Sequence, residues 1–188
     1  MSRLLVLYET SEGHTAQIAE RIADRIRSKG HEVAIVSARH LPPDFFPVQY
    51  EAIIIGAPIH RDQYPKSVAR FVEEHRAFLN KIPSAFFTAC LTVSSGRHED
   101  LVKGEKYAND FLKQTAWSPT STAVFAGALL YTQYGFIKRF MLKKISERAG
   151  GDTDTSKDYD YTDWKAVDVF ADDFLAAAGD ALKESAAR

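Results

Sequence analysis

The stretch "LYETSEGHT", Leu7 to Thr15, is where one kind of order gives way to another. Before it, Arg3–Tyr8 ("RLLVLY") is a short apolar run, the pattern of a strand buried on both faces. After it, Ile18, Ile22 and Ile26 recur every four residues, with Ala19 and Ala23 on the same stripe. That spacing predicts an amphipathic helix from His14 to Lys29, with Gly30 at its C-terminal cap. The turn therefore joins the carboxyl end of a strand to the amino end of a helix. Free N–H groups and the positive end of the helix dipole gather there and attract an anion. Thr10, Ser11 and Thr15 add hydroxyls, Gly13 lets the backbone come close, and no lysine or arginine intervenes. The absence of GxxxxGK[ST] argues against triphosphate hydrolysis, and the absence of GxGxxG argues against a dinucleotide pyrophosphate site. What remains suits one terminal phosphate monoester. The plainer alternative is a Ser or Thr cap on a buried helix.

Outward from this turn the two periods keep alternating. "HEVAIVSA" reads as a second strand, "LPPDFFP" as a proline-broken connection and "YEAIIIGAP" as a third strand. Pro65 opens a helix with Val68, Phe71, Val72, His75 and Leu79 on one face. "SAFFTACLTV" is a fourth strand, "SSGRHED" a polar loop, and Tyr107, Phe111, Leu112 and Thr115 mark another helix. "TAVFAGAL" gives the fifth strand, and a last helix from about Asp163 carries Trp164, Val167, Phe174 and Leu175. Strand–helix alternation predicts an α/β fold, a doubly wound five-stranded parallel sheet in the order 2-1-3-4-5. Ligands of such sheets lie outside the carboxyl ends of the strands. The expectation is one domain over residues 1–188 with a helical insertion at about 130–161, roughly thirty residues where connections usually take about 2–6.

Bulk composition narrows the classes. At 188 residues, 45% hydrophobic and 26% charged, the chain can bury a core of ordinary size. A net charge of -1 gives no electrostatic case for a nucleic-acid partner. The single cysteine, Cys90, allows no internal disulfide, so a reducing cytoplasm is expected. "MSRLLVLYET" has too short an apolar run for a secretory signal, and no window nears the roughly 20 apolar residues of a membrane span.

Two further crevice loops accompany the first. "GAPIHRDQYP" offers Ala57 and Pro58 backbone, Ile59 as an apolar plate, His60, and Tyr64 as an aromatic plate. "CLTVSSGRH" offers Leu91, Thr92, Val93, Ser94, Ser95 and Gly96, whose backbone from Thr92 onward would meet a polar ring edge. One loop for phosphate and two for a flat ring describe a flavin mononucleotide site, with Thr10, Ser11, Glu12, Gly13, His14 and Thr15 around the phosphate.

"TSEGHT" resembles the flavodoxin phosphate loop, T/S-x-T/S-G-x-T, with Glu12 where a hydroxyl is usual. Over the whole chain, "SEGHT", "AIIIGAPI", "PSAFF", "FAGALLY" and "RFMLKKI" resemble the flavodoxin-like, menaquinone-dependent protoporphyrinogen dehydrogenases of haem synthesis. The most specific segment is "GGDTDTSKDYDYTDW", Gly150 to Trp164, which is close to that family's "SGGxTDT…YTDW". His60–Arg61 and the acidic, glycine-bearing "TVSSGRHEDLVKGEK" depart from the family pattern. The resemblance implies FMN as cofactor, protoporphyrinogen IX as substrate and a quinone, menaquinone or ubiquinone, as electron acceptor. It singles out no catalytic acid or base. Two other readings share the fold: an FMN electron carrier, expected to have an acidic rim, and a flavin-dependent quinone reductase, which needs a nicotinamide pocket.

Within the insertion, "YGFIKRFMLKKISERAGG" sets Phe136, Ile137, Phe140, Met141 and Ile145 along one stripe, with Lys138, Arg139, Lys143, Lys144 and Arg148 elsewhere. A basic amphipathic helix can rest on an anionic membrane surface, where a lipid-soluble quinone is reached. It can equally pack its stripe on the domain and leave the lysines solvated. With the resemblance added, peripheral contact with the cytoplasmic face of the inner membrane is expected, and Arg61, Lys138 or Arg139 are placed to pair with substrate propionates. Cys90 reads as a small buried hydrophobe. "HED" at 98–100 lacks partners for a metal set, "DTDTSKD" lacks the glycine and closing glutamate of a calcium loop, and GxSxG is missing.

Overall fold

Leu4, Leu5, Val6 and Leu7 are wholly buried at the centre of β1 (Arg3–Tyr8), which lies between two parallel neighbours. In the computed structural model, which describes residues 1–60, 62–133, 140, 143–144, 146–147 and 151–186, β2 (Glu32–Ser37) pairs on one side and β3 (Ala52–Pro58) on the other. Val6 stands opposite both Ile35 and Ile54. β4 (Ser84–Cys90) continues beyond β3 and β5 (Ser121–Ala126) beyond β4, giving the order 2-1-3-4-5 that the alternation predicts. β3 and β4 are buried at every position, as strands covered on both faces must be.

Helices close the two faces. α1 (His14–Ser28) buries Ile18, Ile22 and Ile26 against Leu4, Val6, Ile54 and Phe87, together with α4 (Trp164–Ala186), which contributes Val167 and Phe174. α2 (Lys66–Leu79) and α3 (His98–Thr115) cover the opposite face, where Val68, Phe71, Val72 and Phe111 pack on Leu5, Leu7, Ile53, Ile55 and Phe86. Alternation along the strands sends successive side chains to these two layers, so one sequence run serves both.

The structure departs from the sequence reading at two strand ends. β4 stops at Cys90 rather than Val93, and Leu91–Ser95 coils into a 3₁₀ turn. Its neighbour runs out at the same level: Cys90 pairs with Ala126, the last residue of β5. The fifth strand is likewise shorter than "TAVFAGAL". At Gly127 the chain crosses Leu91 so closely that an added Cβ would lie 3.1 Å from the Leu91 nitrogen. Ala128–Leu129 (β6) then leaves the sheet and pairs antiparallel with Tyr159–Asp160 (β7), which returns from the insertion. The two ends of the insertion are thus joined at its base.

That base is packed. Ala128, Leu129, Leu130 and Tyr131 form a small buried cluster with Leu91, Tyr159 and Tyr161 against it. The Tyr131 hydroxyl donates to the Asp152 carbonyl (2.9 Å), the Tyr161 hydroxyl to the Asp152 carboxylate (2.6 Å), and Thr132 donates twice to Asp158. Farther out, Phe140, Lys143, Lys144, Ser146 and Glu147 are helical. Phe140 is 55% exposed and Lys144 sits over its ring. Phe136, Ile137, Lys138, Arg139, Met141, Ile145 and Arg148 lie outside the described residues, as does Arg61. Among the described residues no helix is long and apolar enough to cross a membrane.

Candidate functional site

The turn after β1 is built by its own residues. Glu9 continues the sheet by donating its N–H to the Gly56 carbonyl (3.0 Å), and the Thr10 hydroxyl oxygen then accepts the Gly13 N–H (2.9 Å). Gly13 sits at φ 90°, a left-handed conformation that only glycine adopts without strain, and α1 starts at the next residue. No side chain caps this helix and no acidic residue occupies its first turn. The Ser/Thr-cap alternative is therefore not what forms: Thr10 braces the loop from outside the helix and leaves the first turn open. A Cβ built on Gly13 would meet nothing within 4 Å, so the loop faces open space. Thr15 is buried, Ser11 is exposed and Glu12 half-buried. Open amides, a converging helix dipole and hydroxyls fit a phosphate monoester.

The second loop leaves β3 with Ala57 and Pro58 still in the sheet. Ile59 donates its N–H to the Ala89 carbonyl (3.0 Å) and stays half-buried at the rim. His60 and Gln63 exchange two backbone hydrogen bonds of 3.1 Å, closing a tight turn in which Asp62 takes φ 61°. The Asp62 carboxylate accepts the Tyr107 hydroxyl of α3, which fixes the turn to the domain.

Tyr64, expected as an aromatic plate, is half-buried and lines a cleft shared with Ser11 and His60. Its ring lies 4.7 Å from that of Phe111 and 5.4 Å from that of Phe86, inside the layer under α2 and α3. Burial there holds its phenol well above the ordinary value. The physical reason is local: Pro65 starts α2 at once, and a ring directly before a helix that covers the sheet is drawn inward with it.

The third loop is the 3₁₀ turn Leu91–Ser95, closed by Gly96 at φ 70°. Leu91, Val93 and Ser94 are half-buried, and Thr92, Ser95 and Gly96 exposed. Ser94 donates to the Leu91 carbonyl (2.7 Å) and Ser95 to the Asp100 carboxylate (2.5 Å), which also accepts Arg97. Those contacts hold Asp100 below the usual carboxylate range, the Ser95 hydroxyl first and Arg97 next. The loop is rigid through its side chains, and its backbone is what remains to meet a ligand.

Three residues that sequence reasoning did not assign also converge here. Glu9, 1% exposed, has both carboxylate oxygens held, one by the Arg39 guanidinium (2.6 Å) and one by the Ser67 hydroxyl (2.8 Å). This knot ties the ends of β1 and β2 to the start of α2. It lines a cleft of about 470 Å³ together with Ser11, His60 and Tyr64. A lone acid in a strand-end "YET" carries no signal of such pairing; only the three-dimensional approach of Arg39 and Ser67 reveals it. His14, one of the residues expected around the phosphate, also has a buried side chain, described below. Among the described residues no group of three or more His, Cys, Asp or Glu is arranged to hold a metal ion.

Sheet order, open helix terminus and strand-end loops together define an α/β protein of the flavodoxin class. A short-chain flavodoxin associated with a bacterial microcompartment superposes with TM-score 0.59 at 13% identity, covering 95% of this chain and 99% of that one. The Flavodoxin domain family matches residues 5–156. Protoporphyrinogen IX dehydrogenase [quinone] of Leishmania major is 35% identical over 93% of this chain and 75% of its own, and that of Escherichia coli K12 is 34% identical over 90% and 92%. The chain belongs to this flavodoxin-domain family of quinone-dependent protoporphyrinogen IX dehydrogenases.

Proposed function

We propose that this protein binds FMN in the strand-end crevice and oxidises protoporphyrinogen IX to protoporphyrin IX, with a quinone as electron acceptor. The observation that carries the reading is the start of α1 behind Gly13, where no side-chain cap hydrogen bond is made among the described residues and the loop faces open space. The named relatives from Leishmania major and Escherichia coli supply the substrate pair. When bound, the flavin supplies the redox chemistry, taking electrons from the tetrapyrrole and passing them to the quinone.

The chain's own residues bind and orient. The amides of His14 and Thr15, with the hydroxyls of Thr10 and Ser11, would hold the phosphate. Ile59 would lie against one face of the ring, and backbone groups from Thr92 to Gly96 against its polar edge. Tyr64 supports the loop from within rather than stacking on the ring. Lys143, half-buried on the insertion, is the described cation of those expected near propionates or the bilayer, and the exposed Phe140 beside Lys144 favours a peripheral membrane contact on that side. The whole chain then acts as one flavodoxin-type unit whose insertion faces the substrate.

The test is a spectrum followed by an assay. Purified protein titrated with FMN is expected to quench flavin fluorescence, and the holoprotein to convert protoporphyrinogen IX anaerobically only when menaquinone or ubiquinone is added. A reducible bound flavin with no conversion would make the protein an electron carrier instead. No quenching at excess FMN would end the flavin reading.

A further inference from the structure

His14 opens α1 immediately after the loop proposed to hold phosphate, yet its ring turns away from the loop and into the protein, 6% exposed. Its Nε2 lies 2.7 Å from the Thr162 hydroxyl oxygen, 148 residues later in the chain. Thr162 belongs to "YTDW", the turn that links β7, the returning strand of the insertion, to α4. The Thr162 hydroxyl in turn is 2.9 Å from the Ala126 carbonyl, at the last residue of β5. A threonine hydroxyl has one proton and two lone pairs. A carbonyl can only accept, so both contacts are satisfied together only when Thr162 donates to Ala126 and accepts from His14. The His14 Nε2 therefore carries a proton.

The surrounding groups agree with that assignment. Asp160 places a carboxylate oxygen 3.7 Å from Nε2, on the donor side of the ring. The Gln17 side-chain amide lies 3.3 Å from Nδ1, and Trp164 meets the ring edge-on at 6.1 Å between centroids. The Trp164 indole N–H and the Thr162 backbone N–H both donate to Asp160, at 3.0 and 2.9 Å, which fixes the turn that presents Thr162. An amide can face Nδ1 with either its oxygen or its nitrogen, so the Nε2 donor persists whether the ring is neutral or charged.

We propose that His14 and Thr162 are a positioning pair that locks the phosphate loop to the return of the insertion, so that holding the flavin phosphate and steadying the base of the insertion are one coupled event. This rests on the flavin reading of the crevice. Three pieces of chain meet in two hydrogen bonds: the start of α1, the end of β5 and the start of the last connection. None of these pieces fixes the others through the sheet alone, because β5 ends at Ala126 and α1 lies across two strands from it. The coupling runs both ways, as linkage requires. Occupancy of the phosphate loop steadies the base of the insertion, and anything that loosens that base weakens phosphate binding by the same factor.

The experiment uses the full-length holoprotein and two readouts. Long-range ¹H–¹⁵N spectra of the histidine rings report which nitrogen of His14 carries the proton, and FMN titration reports affinity. Nε2 is expected to be protonated on both sides of neutral pH. Thr162→Val, which keeps the shape and removes both hydrogen bonds of the hydroxyl, to His14 and to Ala126, is expected to weaken FMN by about tenfold, the scale of losing part-buried hydrogen bonds. Thr162→Ser, which keeps the hydroxyl in place, is expected to stay within about threefold of the parent. His14→Phe tests the same contact from the other side should Thr162→Val fail to fold. An unprotonated Nε2, or full FMN affinity in Thr162→Val or His14→Phe, overturns the pairing while leaving the flavin reading standing. A parent protein that binds no FMN overturns the flavin reading itself.

Discussion

At the scale of single residues, the crevice is shaped by which polar groups are already engaged. The Glu9 carboxylate is enclosed and would be costly to bury alone, but Arg39 and Ser67 each take one of its oxygens. Removing one partner leaves the charge half-served. Arg39→Ala is expected to lower stability by about 2 kcal/mol, below the ~3–5 kcal/mol typical of a fully buried pair, because the Arg39 side chain is 56% exposed and water can replace part of it. Urea denaturation at neutral pH measures this, and an unchanged midpoint would show the pair to be inert. The turn after β1 was legible in "TSEGHT" because its geometry is local: a glycine, hydroxyls and a helix start. The His14 ring and the Glu9 knot were not legible, since each depends on a partner at least thirty residues away along the chain (Thr162, Arg39 and Ser67). The packing of Tyr64 on Phe86 and Phe111 was not legible either, as an aromatic residue in a loop looks alike whether it turns out or in.

Among the elements, α1 and α4 pack side by side on one face of the sheet. Their exposed seam is stitched by two forked ion pairs, Arg21 with Asp168 (2.6 Å) and Arg25 with Asp172 (2.5 Å). Both aspartates are held below the usual carboxylate value, chiefly by the hydrogen bonds from their arginines. A carboxyl that loses its proton more readily in the folded chain than in the unfolded one stabilises the fold above the ordinary carboxylate range. That contribution fades as pH falls through the depressed folded-state values. The double variant Asp168→Asn, Asp172→Asn is therefore expected to lose a little stability at neutral pH, the small contribution of exposed pairs, and to converge on the parent below about pH 4, which makes its acid limb shallower. Thermal melts between about pH 3 and 7 follow it, and an identical acid limb in the variant would contradict the assignment. The element boundaries themselves were readable where periodicity was strong: Arg3–Tyr8 and the start of α1 are as the pattern predicts. They failed at Val93 and Leu129, where an apolar run continues although the parallel sheet has ended; Leu129 joins Tyr159 in the separate antiparallel pair instead.

Across the whole molecule, sheet order follows from alternation and handedness, so the 2-1-3-4-5 arrangement could be derived before any coordinate was known. The insertion could be located by its excess length but not oriented, because nothing in "FAGALLY" announces that the chain turns out of the sheet at Gly127. That turn has a consequence for how such proteins diversify. Departure and return are clasped by one short antiparallel pair, Leu129 opposite Tyr159, so the segment beyond is hung on the sheet like a tool on a handle. Excising 134–149 and bridging the gap with a short glycine-serine link spares Tyr131, Asp152 and Thr162. Such a variant is expected to retain FMN and lose protoporphyrinogen conversion; a variant that still turns over would place the working surface on the handle. Lineages can then refit the tool, in length or in charge, without retuning the grip on the cofactor.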